Sequence, residues 1–529
     1  MSARKGSQET MNILLYSPSY YTRPVKMNFP YAIVALGSYL SNRGYPVRLL
    51  DGSVETDIAG RIREDAAWAD VMGVSMTTFQ IQYALRDIAL AKEVNPDIVV
   101  VAGGVHPTLM PEETVNHPDI DFVITHEGEE PLQELVDALA LGLFPDAIPN
   151  LVYQKDGVVV KNPRRPFLDM NRLPGMDWDL LQNVTLEAMR KRRTGVLLAG
   201  KGCDYQCTFC FNPVARNTFR ARSAQNIIKE IDVLRHRYGV TDIYFRDENF
   251  LYRKERALEV AGHLVSRAHG ITWSALSRVN FLGPGAINDQ DMALLVKSGL
   301  RKLKFGAESG DQHMLNELRK GIRVDQIYSA AEMCRRHGVK GSFSFMTGLP
   351  GETWNQYMKT LDCIDRVRSI LGGGSEILGP HAFFAYPAGE LYQKCIRLGY
   401  KPPSTLEEWG QTERHLVTGL SRYYRRDHPH YHYIQNIALL RTLREISLIA
   451  LCRPPYRRRD LRNLVLLPVI ILAKVRWRLR WFGAGLFEIR LIAYLKGKMF
   501  SQQGRAGGRT DIKRGMRHYE KSAAVCSSV

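Results

Sequence analysis

Short apolar runs alternate with helix-length segments along residues 11–140 of the chain. Each run has the length of a buried strand, and the segments between them repeat apolar positions with a helical period. The runs are Ile13–Ser17, Val47–Asp51, Val71–Ser75, Ile98–Ala102 and Asp121–Thr125. The helical segments lie near residues 31–43, 57–67, 79–93 and 129–141. This alternation predicts an α/β fold with a doubly wound, Rossmann-like parallel sheet.

In such a sheet ligands bind beyond the carboxyl ends of the strands, so the loops there are candidate ligand-binding loops. These loops are Ser17–Tyr21, Asp51–Ser53, Ser75–Phe79, Gly103–Thr108 and Thr125–Glu129. Gly103 and Gly104 would let the backbone approach a ligand closely, although a tight turn calls for glycine equally.

A second alternating series covers residues 195–390. Its apolar runs are Val196–Ala199, Asp242–Arg246, Thr272–Leu276, Lys302–Gly306, Gly341–Phe345 and Leu378–Ala385. Helical patterns separate them near residues 224–238, 254–268, 289–298, 324–337 and 353–370. Six β/α units of this size predict a partial (β/α)6 barrel, whose active groups lie at the carboxyl ends of its strands.

The chain has 529 residues, which is too long for one ordinary domain. A segment rich in Pro and polar residues predicts a linker with a small hairpin around Leu151–Lys161. The first ten residues are polar and lack the apolar core of a signal peptide. The predicted divisions are a disordered extension 1–10, the Rossmann-like domain 11–141, a linker 142–194, the barrel 195–390, a helical basic region 391–500 and a disordered tail 501–529.

The net charge of +18 is concentrated near the end of the chain. Residues 420–529 hold 23 Lys and Arg against 6 Asp and Glu, whereas the preceding 419 residues hold 49 against 48. A basic tail favours an anionic partner, and solvated charge that only keeps the protein in solution is the alternative.

Three of the eight cysteines form the pattern C-x3-C-x2-C directly after the first apolar run of the barrel: Cys203, Cys207 and Cys210. A structural zinc site wants four ligands, a disulfide wants an even number, and most iron–sulfur clusters use four cysteines. Three thiolates on one loop therefore predict a cluster whose last position is filled by something other than protein. The alternative is three unrelated cysteines that fall close together. The remaining cysteines show no paired spacing, so a reducing cytoplasm is the expected compartment.

With this cysteine signature, residues 195–390 resemble a radical S-adenosylmethionine (SAM) domain, and residues 11–140 resemble the cobalamin (B12)-binding domain often fused ahead of it. The resemblance implies that the three cysteines bind a [4Fe–4S] cluster and that SAM completes its fourth iron. Phe209 occupies the aromatic position before the last cysteine, where it would lie near the SAM adenine; plain core packing is the alternative.

Further motifs follow in the order of that family. Asp247 and Glu248 end the second strand, where the family places acidic groups on the methionine amine; carboxylates at a helix N-terminus are the alternative. Glu308 and Ser309 resemble the fourth-strand motif near the polar end of SAM, and Gly348 belongs to a segment that resembles the fifth-strand motif beneath the adenine.

Arg278 follows the third strand and would meet the methionine carboxylate, with a surface ion pair as the alternative. Residues 385–389 resemble the ending of the sixth strand of the family.

The loops 103–108 and 126–129 resemble recurring loops of the B12-binding domain. On this basis the predicted cobalamin contacts are Ser75, Gly103, Gly104, His106 and Glu127. The domain lacks any D-x-H-x-x-G stretch, so no lower-ligand histidine of that kind is present, as is common in members fused to radical SAM domains. His106 is expected to contact the corrin periphery or to cap the strand end; a cobalt ligand is the alternative.

The resemblance implies reductive cleavage of SAM to a 5′-deoxyadenosyl radical, supported by a flavodoxin or ferredoxin-type electron donor. The function expected first is cobalamin-dependent methylation of an unactivated carbon in a small hydrophobic or lipid-like substrate. A radical SAM cyclase or rearrangement enzyme of the anaerobic tetrapyrrole cyclase type, without methyl transfer, is the second reading. A non-enzymatic, cluster-containing sensor at a membrane is the third.

The basic tail contains the apolar run Leu464–Ala473, which is too short to span a bilayer. Arg and Trp side chains follow it, a pattern that suits an interfacial helix on an anionic leaflet. Packing of a helical subdomain is the alternative, and nucleic acid is the least expected partner. We therefore expect peripheral contact with the inner face of the membrane through residues 461–500. The His/Tyr/Arg segment 423–432 is expected to be a polar helix entry rather than a metal site.

Overall fold

The computed structural model describes residues 11–20, 24–25, 27–182, 184–267, 270–372, 376–417 and 461–481. The expectations for residues 1–10, for the His/Tyr/Arg segment 423–432 and for the tail 501–529 lie outside the described residues. So do those for residues 418–460 and 482–500, which are the rest of the basic C-terminal region.

Seven strands form the first sheet, in the order β2-β1-β3-β4-β5-β6-β7. They are β1 Ile13–Ser17, β2 Val47–Asp51, β3 Val71–Ser75, β4 Val99–Gly103, β5 Phe122–Ile124, β6 Leu151–Lys155 and β7 Val158–Lys161. The pairs among the first five strands are parallel, as predicted for a doubly wound sheet. The helices of this part are α1 Tyr31–Ser41, α2 Ile58–Trp68, α3 Ile81–Val94, α4 Val105–Leu109, α5 Pro111–Val115 and α6 Glu129–Ala140.

The local sequence accounts for these elements. All five residues of β1 are buried, as expected for a strand covered on both faces. In α3 the buried residues Ile81, Ala84, Ile88 and Ala91 recur three or four positions apart and form one face. The side chain of Asp57 caps α2 by accepting a hydrogen bond from the Gly60 N–H at 3.0 Å.

The hairpin that we expected within the linker is present as β6 and β7. It does not stand apart, because β6 pairs antiparallel with β5 and extends the first sheet by two strands. The rest of the segment 142–194 includes the helix α7 Val184–Arg192.

The second sheet has six strands in the order β15-β14-β13-β12-β11-β8. Its pairs β8–β11, β11–β12, β12–β13 and β14–β15 are parallel, as in a partial barrel. The remaining strands are β8 Thr194–Leu197, β9 Gly200–Lys201, β10 Arg220–Ala221, β11 Asp242–Phe245, β12 Thr272–Ser277, β13 Leu300–Glu308, β14 Lys340–Thr347 and β15 Glu376–Ala382. The remaining helices are α8 Phe211–Val214, α9 Ala224–Tyr238, α10 Lys254–Ser266, α11 Asp289–Lys297, α12 Gln312–Glu317, α13 Val324–Arg336, α14 Trp354–Leu371, α15 Glu390–Arg397, α16 Leu406–Val417 and α17 Leu461–Arg478.

The chain forms two compact units. The first unit comprises residues 1–305, 316–340 and 385–412, and therefore holds the whole first sheet together with β8–β12. The second unit comprises residues 306–315, 341–384 and 413–529. In the described part of the chain, no helix combines the length and the apolar content needed to cross a membrane.

Candidate cofactor-binding site

The cysteine loop follows β9 in the first unit and is held by backbone hydrogen bonds. The Cys203 N–H donates to the Asn217 carbonyl at 2.9 Å, and the Thr208 N–H donates to the Leu318 carbonyl at 3.0 Å. Gly202, with φ of 79°, turns the chain into the loop; a Cβ there would lie 2.2 Å from the Thr218 carbonyl oxygen. Only glycine can make this turn without moving the neighbouring backbone.

The three thiols are partly or fully shielded from solvent. Cys207 is buried, and Cys203 and Cys210 are half-buried. Burial raises the pKa of Cys203, and it raises the pKa of Cys210 to about 11. A thiolate is the form that binds metal, so a metal centre has to displace these protons when it is bound.

Two side chains donate toward the sulfurs. Asn249 Nδ2 lies 3.3 Å from Cys203 Sγ, and Arg278 Nη1 lies 3.7 Å from Cys207 Sγ. Both donors are buried, so Arg278 is not the surface ion pair that was one reading of the sequence. Hydrogen bonds to sulfur are one of the means by which proteins tune iron–sulfur clusters.

These residues fit the cluster expected from the signature. The described residues contain no group of three or more His, Cys, Asp or Glu side chains that could hold one metal ion. A four-iron cluster does not need such a group, because each cysteine binds a different iron. Whether the residues suit a cluster therefore depends on the cysteine loop and on the groups that donate hydrogen bonds to its sulfurs. Three thiols on one tightly held loop, with an amide and a guanidinium aimed at two sulfurs, supply that donor set.

A cavity of about 290 Å³ lies in the first unit beside this loop. One wall is the carboxyl edge of the parallel strands, and the other includes Lys201, Gly202 and Phe211, which flank the cysteine loop in the chain. Five of the residues predicted to bind cofactors line it: Ser75, Gly103, Gly104, Glu127 and Glu248.

Gly103 ends β4 and Gly104 follows it; the pair lines the floor of the cavity and allows neighbouring backbone to approach closely, and we call it the glycine cradle. Gly104 has φ of 99°, and a Cβ there would lie 2.7 Å from the Met76 carbonyl oxygen. A Cβ on Gly103 would meet only the Ile124 carbonyl oxygen, at 3.6 Å. The apolar walls and the glycine cradle fit cobalamin. The volume of the cavity is at the lower end of the range for ligand pockets, which begins near 300 Å³. The cavity would therefore hold a portion of the cobalamin.

A set of paired charges closes one side of the cavity. Arg220 Nη1 donates to Glu127 Oε1 at 2.6 Å, and Lys201 Nζ lies 3.2 Å from Glu129 Oε1. Burial alone would lower the pKa of Lys201, but Glu129 and Glu127 outweigh it and raise that pKa. These ion pairs join residues 127–129, which follow β5, to the strands β9 and β10. The Rossmann-like sheet and the segment that carries the cysteine loop therefore contribute to the same wall of the cavity.

His106 does not line the cavity, and its contact with cobalamin stays a prediction. Its ring is fully buried, with Nδ1 3.1 Å from Thr78 Oγ1 and Nε2 3.7 Å from Glu113 Oε1. Trp409 packs against the ring with centroids 5.7 Å apart. The structure gives His106 a role in packing the loop after β4, and His126 is the histidine that lines the cavity.

The carboxylates at the end of β11 have different surroundings. Asp247 is fully buried, accepts a hydrogen bond from the Ala199 N–H at 2.7 Å and pairs with Arg256 at 3.4 Å. Burial raises the pKa of Asp247 to about 6, although Arg256 opposes that shift. Asp247 is thus engaged by the protein, whereas Glu248 faces the cavity and is positioned to meet a cationic group. Phe209 is half-buried, with Lys320 Nζ 5.7 Å from its ring centroid.

The other residues expected at SAM lie in the second unit. Glu308 ends β13 with φ of 63°, an uncommon conformation for a residue other than glycine, and strain of this kind often marks a functional position. Ser309 Oγ lies 3.0 Å from Thr360 Oγ1, and the Gly348 N–H donates to Glu352 Oε2 at 2.7 Å.

Models of two protein families match the chain. That of the B12 binding domain matches residues 27–136, and that of the Radical SAM superfamily matches residues 197–364. The first match covers most of the first sheet, and the second begins at the end of β8 and includes the cysteine loop.

Several known proteins resemble the chain over much of its length. An uncharacterised methyltransferase of Pyrococcus horikoshii is 30% identical over 363 residues, which are 67% of this chain and 77% of that protein. An anaerobic magnesium-protoporphyrin IX monomethyl ester cyclase of Rubrivivax gelatinosus is 29% identical over 65% of this chain and 63% of that protein. A radical SAM methyltransferase of Kitasatospora setae, solved with cobalamin and a [4Fe–4S] cluster, has the same fold, with a TM-score of 0.62 and 20% identity over 76% of this chain and 81% of that one.

Proposed function

Because the chain belongs to the family of radical SAM enzymes with a B12-binding domain, we propose that it methylates an unactivated carbon of a small hydrophobic substrate. It is a radical SAM enzyme, and its cofactors are a [4Fe–4S] cluster, SAM and cobalamin. When bound, these groups supply one-electron reduction, hydrogen abstraction and methyl transfer. The electron would come from a flavodoxin or ferredoxin-type donor.

The cavity that reaches the cysteine loop is the observation that carries this proposal. Gly202 lines it and directly precedes Cys203, while Phe211 lines it and directly follows Cys210. The glycine cradle of the first sheet lines the same cavity. A methyl transfer that uses both cofactors needs them close to one substrate, and this arrangement supports that proximity.

Within that cavity the chain's own residues would bind and orient. Gly103 and Gly104 would hold one portion of cobalamin against the strand ends, and Glu248 would accept from the ammonium of SAM. The Glu127–Arg220 and Glu129–Lys201 pairs hold the wall in place without leaving a charge unpaired in a partly buried setting.

Incubation of the holoenzyme with methyl-labelled SAM and a small-molecule extract tests methyl transfer. We expect both 5′-deoxyadenosine and S-adenosylhomocysteine, which remains when SAM gives up its methyl group, together with label in an extract component. Omitting cobalamin should remove the labelled product. An enzyme of the cyclase type would form 5′-deoxyadenosine with no S-adenosylhomocysteine, and that result would replace methylation with cyclisation.

We also propose that α17 contacts an anionic membrane surface, which would bring the enzyme to a lipid-like substrate. Ile471, Val475 and Leu479 recur every four residues and are 52%, 42% and 68% exposed. The opposite side of the helix is anchored within the second unit, where Trp477 Nε1 donates to Asp365 Oδ1 at 3.3 Å. The excess of positive charge in residues 420–529 is complementary to an anionic leaflet.

Flotation with vesicles of phosphatidylcholine, with and without phosphatidylglycerol, tests this contact. The chain is expected to float with the anionic vesicles, and replacing Ile471, Val475 and Leu479 by Ser should reduce the bound fraction severalfold. Leu141, Leu143 and Val158 are similarly exposed, and their replacement by Ser is the matched control. Equal flotation of the two triple variants, or none of the parent chain, would rule out α17 as the contact.

A further inference from the structure

We propose that Arg278 is a positioning residue that sets the reduction potential of the cluster, together with Asn249, which contacts the same cysteine loop. The inference rests on the cluster at the cysteine loop and is independent of which reaction follows. The resemblance to radical SAM enzymes implies that Arg278 binds the methionine carboxylate of SAM. The contacts of its guanidinium favour a different role.

The guanidinium of Arg278 is fully engaged by the protein around the cysteine loop. It stacks on the ring of Tyr205, 3.6 Å from the ring centroid, and Nε donates to Asn280 Oδ1 at 3.2 Å. Nη2 donates to the Lys320 carbonyl. With these contacts in place, Nη1 is left directed at Cys207 Sγ at 3.7 Å.

The support beneath this arginine is itself fixed. Tyr205 lies between two of the cluster ligands in the sequence, and its hydroxyl accepts from Asn280 Nδ2 at 3.0 Å. Asn280 therefore holds both the arginine and the ring on which the arginine stacks. A planar cation stacked on an aromatic ring and bonded on three sides has little freedom to swing toward a ligand.

Asn249 supplies a second side-chain donor, to a different cysteine. Its Nδ2 lies 3.3 Å from Cys203 Sγ, and the residue is 4% exposed. Two of the three ligands thus each receive one side-chain nitrogen donor, one cationic and one neutral, beside backbone hydrogen bonds from Tyr205 to Cys203 and from Asn212 to Cys210.

The expected electrostatic effect has a definite sign. Reduction adds one negative charge to the cluster and its thiolates, so a buried cation and N–H donors stabilise the reduced form more than the oxidised form. Loss of either donor should make the cluster harder to reduce. Arg278 should matter more than Asn249 because it carries a full charge in a buried position.

Redox titration of the reconstituted protein, followed by electron paramagnetic resonance without SAM, tests the proposal. Arg278→Gln should lower the equilibrium constant for one-electron reduction about tenfold, which corresponds to about 59 mV. Asn249→Leu should lower it by a smaller factor, and Arg278→Lys, which keeps the charge, should recover part of the loss. Arg253→Gln is the matched control, since Arg253 is an exposed cation that stacks on Tyr252 and contacts no cysteine.

The affinity for SAM, measured on the same variants, separates the two roles. A potential equal to that of the parent chain in Arg278→Gln, together with weaker SAM binding, would assign Arg278 to the methionine carboxylate and overturn the proposal. A similar fall in Arg253→Gln would also overturn it, because the effect would then be one of overall charge. If Arg278→Gln does not retain its cluster, the redox titrations of Asn249→Leu and Arg278→Lys test the proposal instead. Potentials equal to that of the parent chain in both variants would overturn it.

Discussion

Replacing Cys207 by Ala is expected to abolish both the cluster and the cleavage of SAM. The thiol is buried on a loop whose backbone is held by hydrogen bonds at Cys203 and Thr208, so we expect no neighbouring side chain of that loop to replace it. A cluster held by three cysteines has no protein ligand to spare. Anaerobic reconstitution should yield about four irons per parent chain and essentially none in the variant, with 5′-deoxyadenosine below detection.

Cys334→Ala is the matched control for this experiment. Cys334 is also fully buried, but it lies on α13, and burial raises its pKa to about 12. Its loss should lower stability slightly while iron content and SAM cleavage stay at the level of the parent chain. Cleavage that survives replacement of Cys203, Cys207 and Cys210 in turn would contradict the assignment of the cluster to this loop.

The sequence predicts the elements of this fold well because their signals are local. All five strands of the first series were placed within one residue at each end, since each is a short apolar run bounded by polar loops. The hairpin was recognised as well, but its pairing with β5 was not. The sequence pattern of a hairpin does not indicate which edge of which sheet it pairs with. That pairing depends on contacts such as the one between Phe122 and Tyr153, which lie far apart in the chain.

The cavity was predicted in part for a similar reason. Gly103, Gly104 and Glu127 lie in loops whose position follows from the order of the strands. The sequence analysis does not identify Lys201 and Arg220 as residues of the cavity. For Lys201 a signal exists, because it lies two positions before the first cysteine of the loop. The partners of these two residues, Glu127 and Glu129, lie more than seventy positions away, and spacing along the chain does not encode such pairs.

His106 and Arg278 show what reasoning from a motif leaves out. Both lie at strand ends, where ligand-binding residues are expected, and each is taken up by a packing partner. Trp409 lies against His106 and donates from Nε1 to Glu113, 296 positions away in the chain. Tyr205 and Asn280 hold Arg278 in the same way. A residue at the carboxyl edge of a sheet can bind a ligand only if its side chain is not already bonded to, or packed against, a residue from elsewhere in the chain.

Replacing Gly104 by Ala is expected to remove most of the bound cobalamin and to lower stability markedly. Two separate costs act at this position. With φ of 99° and ψ of −163°, Gly104 lies in a region that is essentially restricted to glycine, where strain costs an alanine about 1–3 kcal/mol, and the new Cβ would lie 2.7 Å from the Met76 carbonyl oxygen. Backbone atoms do not rotate away as a side chain would, so the loops after β3 and β4 must separate. These loops carry Ser75 and Gly103, which form the floor of the cavity.

Gly142→Ala is a control in which a positive-φ glycine is replaced without any collision. Gly142 has φ of 64°, and nothing lies within 4 Å of its Cβ position, so the substitution imposes the backbone strain without a collision. Cobalamin retained after gel filtration, measured from the visible spectrum, should match that of the parent chain in Gly142→Ala and fall severalfold in Gly104→Ala. Thermal unfolding of the two variants reports the stability cost separately. Full cobalamin content in Gly104→Ala would mean that the loop after β4 is not the cradle, and the corrinoid would then have to be sought elsewhere along the strand ends.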